Sequence, residues 1–349
     1  MQNFAKQIGN YLNNKKLTII MLSFGFVLSA FAQKKTAVFS FKAADSLNRS
    51  RCWVLGGVSV GAFAASTYWL HSAWYKQYDR SKFQFFNDNN EWMQMDKLGH
   101  VVSAYYESRW ASQMYRWAGV SPRKSDWIGV GYSMLIQTSL EIADGFSEKW
   151  GFSKGDYLAN LAGTGIFIGQ QLAWNEQRFS FKVSSTPKKY PSTLIYSSDN
   201  QFSIPLNERA YSLLGNNYAI SFAKDYNEQT QWLSVNVASF LPKDTRFPKW
   251  LNVAVGYSLE NAFVGENSYS WFQSYPTKGI PAGTVFTIDK NMFPRYRQFL
   301  FSLDLDMTKI HTKYRFLNAI LHTFNVIKIP APALEFNTLG KMKVHPFYF

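Results

Sequence analysis

The spacing of apolar residues changes once along this chain, near residue 177. Before that point, long apolar segments repeat every three to four residues, which is the period of a helix. After it, short segments alternate with period two and are separated by prolines and polar turns. The sequence therefore predicts an α+β fold, with a bundle of about four helices over residues 33–176 and a mostly antiparallel, strand-rich domain over residues 177–349.

Residues 1–32 have the pattern of a secretory signal peptide. A basic lead with Lys6, Lys15 and Lys16 precedes the apolar run LTIIMLSFGFVL, and the small-x-small triplet AFA follows. We predict cleavage before Gln33, and an uncleaved N-terminal membrane anchor is the alternative. Because no cysteine lies near this point, a lipid anchor on an N-terminal cysteine is not expected.

Composition points to an exported protein that associates with membranes. The formal net charge is +14, which in an exported chain suits an anionic lipid or glycan surface better than nucleic acid. Twelve tryptophans are many for this length, and tryptophan favours membrane interfaces. We predict a location in the periplasm or at the outer membrane, with membrane lipid as partner, an envelope protein as a further candidate partner, and no nucleic acid.

Four helices are predicted in the first half, over residues 47–75, 95–118, 126–144 and 153–175. In the first, Gly57, Gly61 and Ala65 repeat every fourth position, which in lipid is a helix-association face and in water a well-packed soluble helix. In the fourth, three glycines at 163, 165 and 169 are expected to let another helix backbone pack closely. The polar stretch around Pro122 is predicted to be a loop.

Four segments of the second half alternate as strands do: residues 178–184, 231–240, 251–260 and 299–307. In the last segment, the leucines are expected to face apolar material and Ser302 and Asp304 to face water. Residues 313–326 predict a helix. Pro330 and Pro332 predict an edge strand or a connector.

The chain ends in Phe349, and a terminal aromatic residue after a signal peptide suggests a strand of an outer-membrane barrel. However, Lys343 and His345 share the alternation of Phe347 and Phe349, whereas the lipid-facing side of such a strand should be apolar. Both a small or partial barrel and a half-open sheet against the helices remain as predictions.

Polar residues recur at same-face spacing within the predicted helices. Asp96 and His100 lie four positions apart, with Lys97 beside Asp96, and Glu141 and Asp144 lie three apart. On a helix, each pair projects from one face. We therefore predict that these five residues contribute to one polar site, where they are the candidate catalytic residues.

A third segment, SKGDYLANLAG, adds Asp156 and Asn160, four apart, with Gly163 continuing their line. Ser153 and Asp156 fit a capping box at the start of a helix, which alone could explain both. It does not explain Asn160, because a buried amide without partners costs a few kcal/mol. These four residues are predicted to form a binding or structural network with the site.

Three kinds of chemistry fit this set of residues. Carboxylates and imidazole could bind a divalent cation, although no cofactor is predicted outright. Glu141 or His100 could exchange a proton while Lys97 holds a phosphate or carboxylate of a lipid-linked substrate. Alternatively, the residues form a satisfied buried network that fixes the register of the helices. Whether the protein is an enzyme stays open.

The order and spacing of these motifs resemble the VanZ-like and YfiM-like envelope proteins, the latter being predicted periplasmic lipoproteins of unknown function. The resemblance covers residues 90–175 and rests on D-K-x-x-H, E-x-x-D and S-x-x-D-x-x-A-N-x-x-G. It implies a role at the cell envelope, structural or binding, with action on an envelope lipid or glycan head group as the alternative. The chain departs from the lipoprotein pattern in lacking the lipid-bearing cysteine.

Overall fold

The computed structural model describes residues 38–73, 79–266, 268–273 and 278–349, so the predicted signal peptide lies outside the described residues. The helices are α1 (Arg49–Ala73), α2 (Met95–Trp117), α3 (Pro122–Gly145), α4 (Lys154–Trp174), α5 (Leu206–Leu214), α6 (Tyr218–Lys224) and α7 (Arg315–Thr323). The strands are β1 (Phe85–Phe86), β2 (Phe152–Ser153), β3 (Phe179–Ser185), β4 (Leu194–Ser197), β5 (Ser203–Pro205), β6 (Gln229–Asn236), β7 (Leu251–Glu260), β8 (Ser270–Phe272), β9 (Val285–Thr287), β10 (Tyr296–Leu305), β11 (Ala331–Asn337) and β12 (Met342–Tyr348).

The predicted α+β class is confirmed, with the helical half preceding an antiparallel, sheet-rich half. The four helices predicted for the first half are α1 to α4, and the helix predicted over residues 313–326 is α7. The predicted loop at Pro122 was wrong, because α3 begins there. Proline has no N–H to leave unpaired and its fixed φ suits the first helical position, which it takes directly after Ser121.

Two glycines bring α3 and α4 against the central helix α2. A Cβ on Gly129 would lie 2.2 Å from the carbonyl oxygen of Ser108, and one on Gly163 would lie 2.2 Å from that of Val101. The prediction that Gly163 meets another helix is therefore confirmed. Gly165 and Gly169 have no such neighbour in the part of the chain that the structure describes, so close approach to another helix explains one of the three glycines there.

Helix α1 is joined to the bundle at its first turns. The buried Arg51 donates through Nη1 to the carbonyl oxygen of Trp117 at 2.7 Å and stacks on its ring. A Cβ on Gly57 would meet no atom of the described residues, so within them the predicted association face has no partner at that point. None of the helices in the described part of the chain combines the length and apolar character needed to cross a membrane.

The main sheet has six antiparallel strands in the order β12-β11-β10-β7-β6-β3. Within the described residues it does not close into a barrel, because no ladder joins β3 to β12. The sheet nevertheless curls until its edges approach. Lys328 donates its N–H to the Val183 carbonyl at 2.9 Å, and the Thr186 hydroxyl donates to the Phe349 carbonyl at 2.9 Å.

A second, four-stranded sheet in the order β5-β4-β9-β8 was not predicted. It packs with α5 around a separate apolar core that includes Leu206, Trp271 and Phe286. Its strands have only three or four residues, which is too short for a clear alternation.

The main sheet is apolar outside and polar inside, the reverse of the prediction for residues 299–307. Asp304 and its neighbours on that face are buried within the curl, whereas Phe299, Phe301 and Leu303 on the other face are 43 to 52% exposed. The prediction that residues 299–307 alternate was correct, but the prediction of which side faces solvent was wrong. The curl encloses one face of the sheet, and the enclosed face is the polar one.

Strand β11 is internal, so the prediction of an edge strand at Pro332 was also wrong. Ala331 pairs with Tyr348 and Ala333 with His345, so two residues of β12 lie opposite the single Pro332. This β-bulge interrupts the ladder where proline has no N–H to donate.

The two halves meet through β3. Its outward-facing Phe181 packs against Tyr105 and Tyr106 of α2 and Phe167 of α4. Both tyrosine hydroxyls donate to carbonyl oxygens of β3, that of Tyr105 to Phe179 at 3.1 Å and that of Tyr106 to Phe181. Within the described residues, the helical half covers β3 and the end of β7, and most of the outer face of the other strands is exposed.

Candidate functional site

The predicted polar residues meet at one end of the bundle. Asp96, Lys97 and His100 lie in the first turns of α2, Glu141 lies near the end of α3, and Asn160 lies in the second turn of α4. Their helical spacing put each pair on one face, and the close packing of α3 and α4 on α2 brings the faces together.

Lys97 is at the centre of the cluster. Its Nζ lies 2.6 Å from Asp88 Oδ1, 2.6 Å from Asp156 Oδ1 and 3.4 Å from Asp96 Oδ2. Burial alone would lower the pKa of Lys97, but the charges of Asp96 and Asp156 raise it above its usual value. The ammonium therefore stays charged and is paired within the protein.

His100 joins the three helices. Its Nδ1 donates to Asn160 Oδ1 at 3.1 Å and lies 3.9 Å from Glu141 Oε1, while its Nε2 lies 3.6 Å from Asp156 Oδ1. Burial works against a charge on the ring, yet the surrounding carboxylates raise the pKa of His100. Asn160 is fully buried, and its Nδ2 has no partner among the described residues.

The start of α4 is tied to the cluster through its cap. Ser153 is the N-cap, and its Oγ accepts from the N–H of Asp156 at 3.1 Å, which is one of the two bonds of the predicted capping box; the other is replaced by a bond to Glu141. The same Oγ donates to Asp88 Oδ1 at 2.6 Å, and the Ser153 N–H donates to Glu141 Oε2 at 3.2 Å. The cap and the polar cluster are thus one network.

The sheet half also contributes. Tyr226, which lies just before β6, is partly buried and donates its hydroxyl to Asp96 Oδ1 at 2.6 Å. Burial and the adjacent carboxylate raise the pKa of Tyr226 well above its usual value, so it remains a donor. This bond joins the helical cluster to the sheet half.

The cluster contains more carboxylates than cations. The four acids are Asp88, Asp96, Glu141 and Asp156, against Lys97 and His100. Burial, and next the charge of Asp96, raises the pKa of Asp156 to about 8, and burial raises that of Glu141 to about 7. Burial would also raise the pKa of Asp88, but its hydrogen bonds hold it below the usual range. Near neutral pH the cluster therefore retains protons on Asp156 and, in part, on Glu141.

Three of these residues have the geometry of a cation site. Donor atoms of Asp96, His100 and Asp156 all lie within 4.8 Å of one another. Oxygen and imidazole donors suit several divalent metals. However, the Lys97 ammonium already touches the same oxygens, so a metal ion would have to compete with a charge that the protein itself supplies.

Two further predicted members, Asp144 and Gly163, have other roles in the structure. Asp144 lies one turn beyond Glu141, and after burial and His100 its charge is the next influence on the pKa of Glu141. Gly163 is a packing point between α4 and α2 rather than part of the polar cluster.

Sequence reasoning missed Asp88 and Tyr226. Asp88 lies in the polar stretch NDNNEW, where no periodicity distinguishes one acid from its neighbours. Tyr226 is separated from Asp96 by 130 positions in sequence, and only the tertiary fold brings them together.

The comparisons with known proteins bear on the same segment. A family described as predicted periplasmic lipoprotein (DUF2279) matches residues 84–169. No curated protein and no solved structure matches. The match supports an uncharacterised periplasmic family over this segment but not the VanZ-like or YfiM-like names. The family description confirms the predicted location, exported and membrane-associated in the cell envelope.

Proposed function

We propose that this chain is a membrane-associated envelope protein with a structural or binding role, in which the polar cluster clamps α2, α3 and α4 together and to the sheet half. The observation that carries this proposal is the position of Lys97, whose ammonium is held at 2.6 Å by both Asp88 and Asp156. Buried charges that pair within the protein fix geometry, because breaking such a pair leaves an uncompensated charge.

The remaining contacts support the same role. Glu141 accepts a backbone N–H at the start of α4, and Tyr226 reaches Asp96 from the other half of the chain. Neither of the two described cavities is lined by residues of the cluster. A Lys97 engaged by two carboxylates is also a poor ligand for a substrate phosphate, since the acids repel that anion.

A second candidate is proton exchange or cation binding at the cluster. The surplus of acids favours it, because Asp156 and Glu141 have pKa values of about 8 and 7, close to those that general acids and bases need. The resemblance to VanZ-like and YfiM-like proteins supports an envelope lipid or glycan head group as the substrate of such a site. The reaction would take place in the periplasm or at the outer membrane.

The test compares stability with complementation of the envelope phenotype of a deletion strain. Glu141→Gln retains an oxygen that accepts the Ser153 N–H, so a structural site predicts an unchanged melting temperature and full complementation. Lys97→Met should lower the melting temperature and also fail to complement the deletion strain. The exposed Glu148→Gln is the matched control.

Each alternative has its own signature. Glu141→Gln with normal stability and no complementation would replace the structural role by proton exchange. A rise in the melting temperature with Mn²⁺, Zn²⁺ or Mg²⁺ that disappears in His100→Gln would replace it by cation binding.

A further inference from the structure

The outer face of the main sheet carries a continuous apolar row. Register pairs Leu233 with Val255, Val255 with Phe301, Phe301 with Leu334, and Leu334 with Val344. The row therefore crosses five neighbouring strands, and Phe301 at its centre is 52% exposed. Parallel rows on both sides add Val253 with Leu303, and Phe299 with Phe336 and Met342.

Charge is nearly absent from this face. In β6, β7, β10, β11 and β12, the only charged residue on the outward side is Arg297, at the end of β10. Its side chain is turned to the helical half, where it donates to Gln94, and it also donates to the hydroxyl of Tyr257 in β7. The other polar side chains on this side are Gln229, Gln231 and Tyr257, and none of them is exposed.

The enclosed face has the opposite character. Lys182 and Asp304 form an ion pair at 3.2 Å with both side chains fully buried, and Lys328 donates to two backbone carbonyls. A sheet in water normally keeps its apolar face inside and its polar face outside. Polar-in and apolar-out is the arrangement of strands that face hydrocarbon.

The β-bulge in β12 preserves this arrangement to the end of the chain. Lys343 and His345 face inward, where His345 bonds Glu335 at 2.7 Å. The extra residue opposite Pro332 then changes the alternation, so Tyr348 faces inward again and Phe347 lies outside, 79% exposed. The sequence argument against a lipid-facing strand assumed an unbroken alternation, which this bulge removes.

A basic loop borders the apolar face. Lys243, Arg246, Lys249 and Trp250 are exposed immediately before β7, with Asp244 as the only acid among them. The loop is fixed in place, because Asn236 donates to the Lys249 carbonyl and the Asp306 N–H donates to that of Trp250. Cations and tryptophan beside an apolar surface suit the head-group layer of a membrane.

We propose that the outer face of β6, β7, β10, β11 and β12 docks in membrane hydrocarbon, with the 243–250 loop on anionic head groups. Lipid fits better than a second copy of the chain, because the row wraps round a curled sheet and a rigid partner would cover only part of it. The proposal rests on the membrane association of the proposed function, but not on the polar cluster.

The experiment is vesicle flotation of the full chain, reconstituted from detergent with vesicles of equal parts phosphatidylethanolamine and phosphatidylglycerol. Phe301→Asp should lower the partition coefficient roughly tenfold or more, because charge on a lipid-facing strand is strongly disfavoured. Leu135→Asp on α3 is the matched control, since Leu135 is 69% exposed and lies outside the sheet. Near-ultraviolet circular dichroism in detergent verifies the fold of each variant.

A second measurement avoids any charge on the sheet. In a Cys52→Ser background, a polarity-sensitive fluorophore on Val255→Cys should shift to the blue with vesicles and be quenched by lipids that carry a spin label on the acyl chain. The same label on Lys290→Cys, at an exposed position, should neither shift to the blue nor be quenched by these lipids. Removing Lys243 and Arg246 should weaken binding to the anionic vesicles roughly fivefold per cation and leave phosphatidylcholine binding unchanged.

Three results would overturn the proposal. The first is flotation of Phe301→Asp equal to that of the wild type. The second is equal loss in Leu135→Asp, which would move the contact to the helices. The third is that the wild type forms dimers without lipid and Phe301→Asp is a monomer. A second copy of the chain would then cover the outer face of the sheet. Because no variant here touches the cluster, failure of this proposal is distinct from failure of the structural role.

Discussion

Both halves of the molecule bury charged side chains, but only the helical cluster has more acids than cations, because the sheet sets Asp304 and Asp306 against Lys182 and Lys328. In the helical half, four acids surround Lys97 and His100, and burial raises the pKa of Asp156 to about 8. Inside the sheet, Lys182 and Lys328 face Asp304, and burial lowers the pKa of Lys328 to about 8. The helical cluster therefore keeps a proton on a carboxyl to a higher pH than usual, whereas the sheet cluster loses a proton from a lysine at a lower pH than usual.

The difference shows how each cluster is satisfied. The lysines of the sheet bond backbone carbonyls as well as Asp304, so their partners are part of the strands themselves. The helical cluster depends on side chains and is partly open, with His100 and Asp96 about a quarter exposed. The sheet cluster is therefore a fixed structural element, whereas the helical cluster can exchange protons with solvent.

The largest effect is expected from breaking the fully buried pair. Lys182→Met leaves Asp304 without its cation in the interior, so the free energy of unfolding should fall by about 3–5 kcal/mol. Denaturant unfolding measures it. The double variant with Asp304→Asn should recover much of the loss, and no recovery would show that the ion pair is not the cause.

Lys97→Met should cost less, about 2–3 kcal/mol, because the cluster is partly exposed and the proton on Asp156 near neutral pH already reduces the surplus of negative charge. The loss should grow as pH rises through about 8, where protonation of Asp156 no longer relieves the repulsion. Unfolding at two pH values checks this. A loss independent of pH would mean that Asp156 is ionised throughout and would remove the contrast between the clusters.

The smallest effect concerns Glu107, which accepts from Ser133 and Gln137 and whose pKa burial raises to about 7. Its folded pKa is above the unfolded value, so its favourable contribution is present below about 4.5 and is lost as pH rises to about 7. Glu107→Gln should therefore equal the wild type at pH 4 and be more stable at pH 8 by roughly 2 kcal/mol. Glu148→Gln at an exposed position is the control, and an equal slope in both variants would contradict the assignment.

Much of the fold could be predicted, because helix and strand periods are local properties of the sequence. Strand β7 was predicted with its observed bounds, and α2 within one residue. The small sheet was missed because its strands are shorter than a readable alternation. Pro122 was misread because the same residue breaks a helix interior and starts a helix end.

The candidate site divides in the same way. Spacing alone indicated that Asp96 and His100, and likewise Asp156 and Asn160, share faces, and the structure brings these faces together. Whether they act chemically stays a prediction. Asp88 and Tyr226 could not be found from the sequence, since a polar loop and a distant tyrosine carry no periodic signal.

The sequence by itself determined the types of the elements, the two faces of each and the polar character of one face, because these depend on residues a few positions apart. Only the tertiary structure decided which face of the main sheet lies inside. Alternation is symmetric between the two sides, and the choice depends on the curl of the sheet, the bulge opposite Pro332 and the helices packed on β3. Contacts such as Tyr226 with Asp96 likewise exist only once distant segments have folded together.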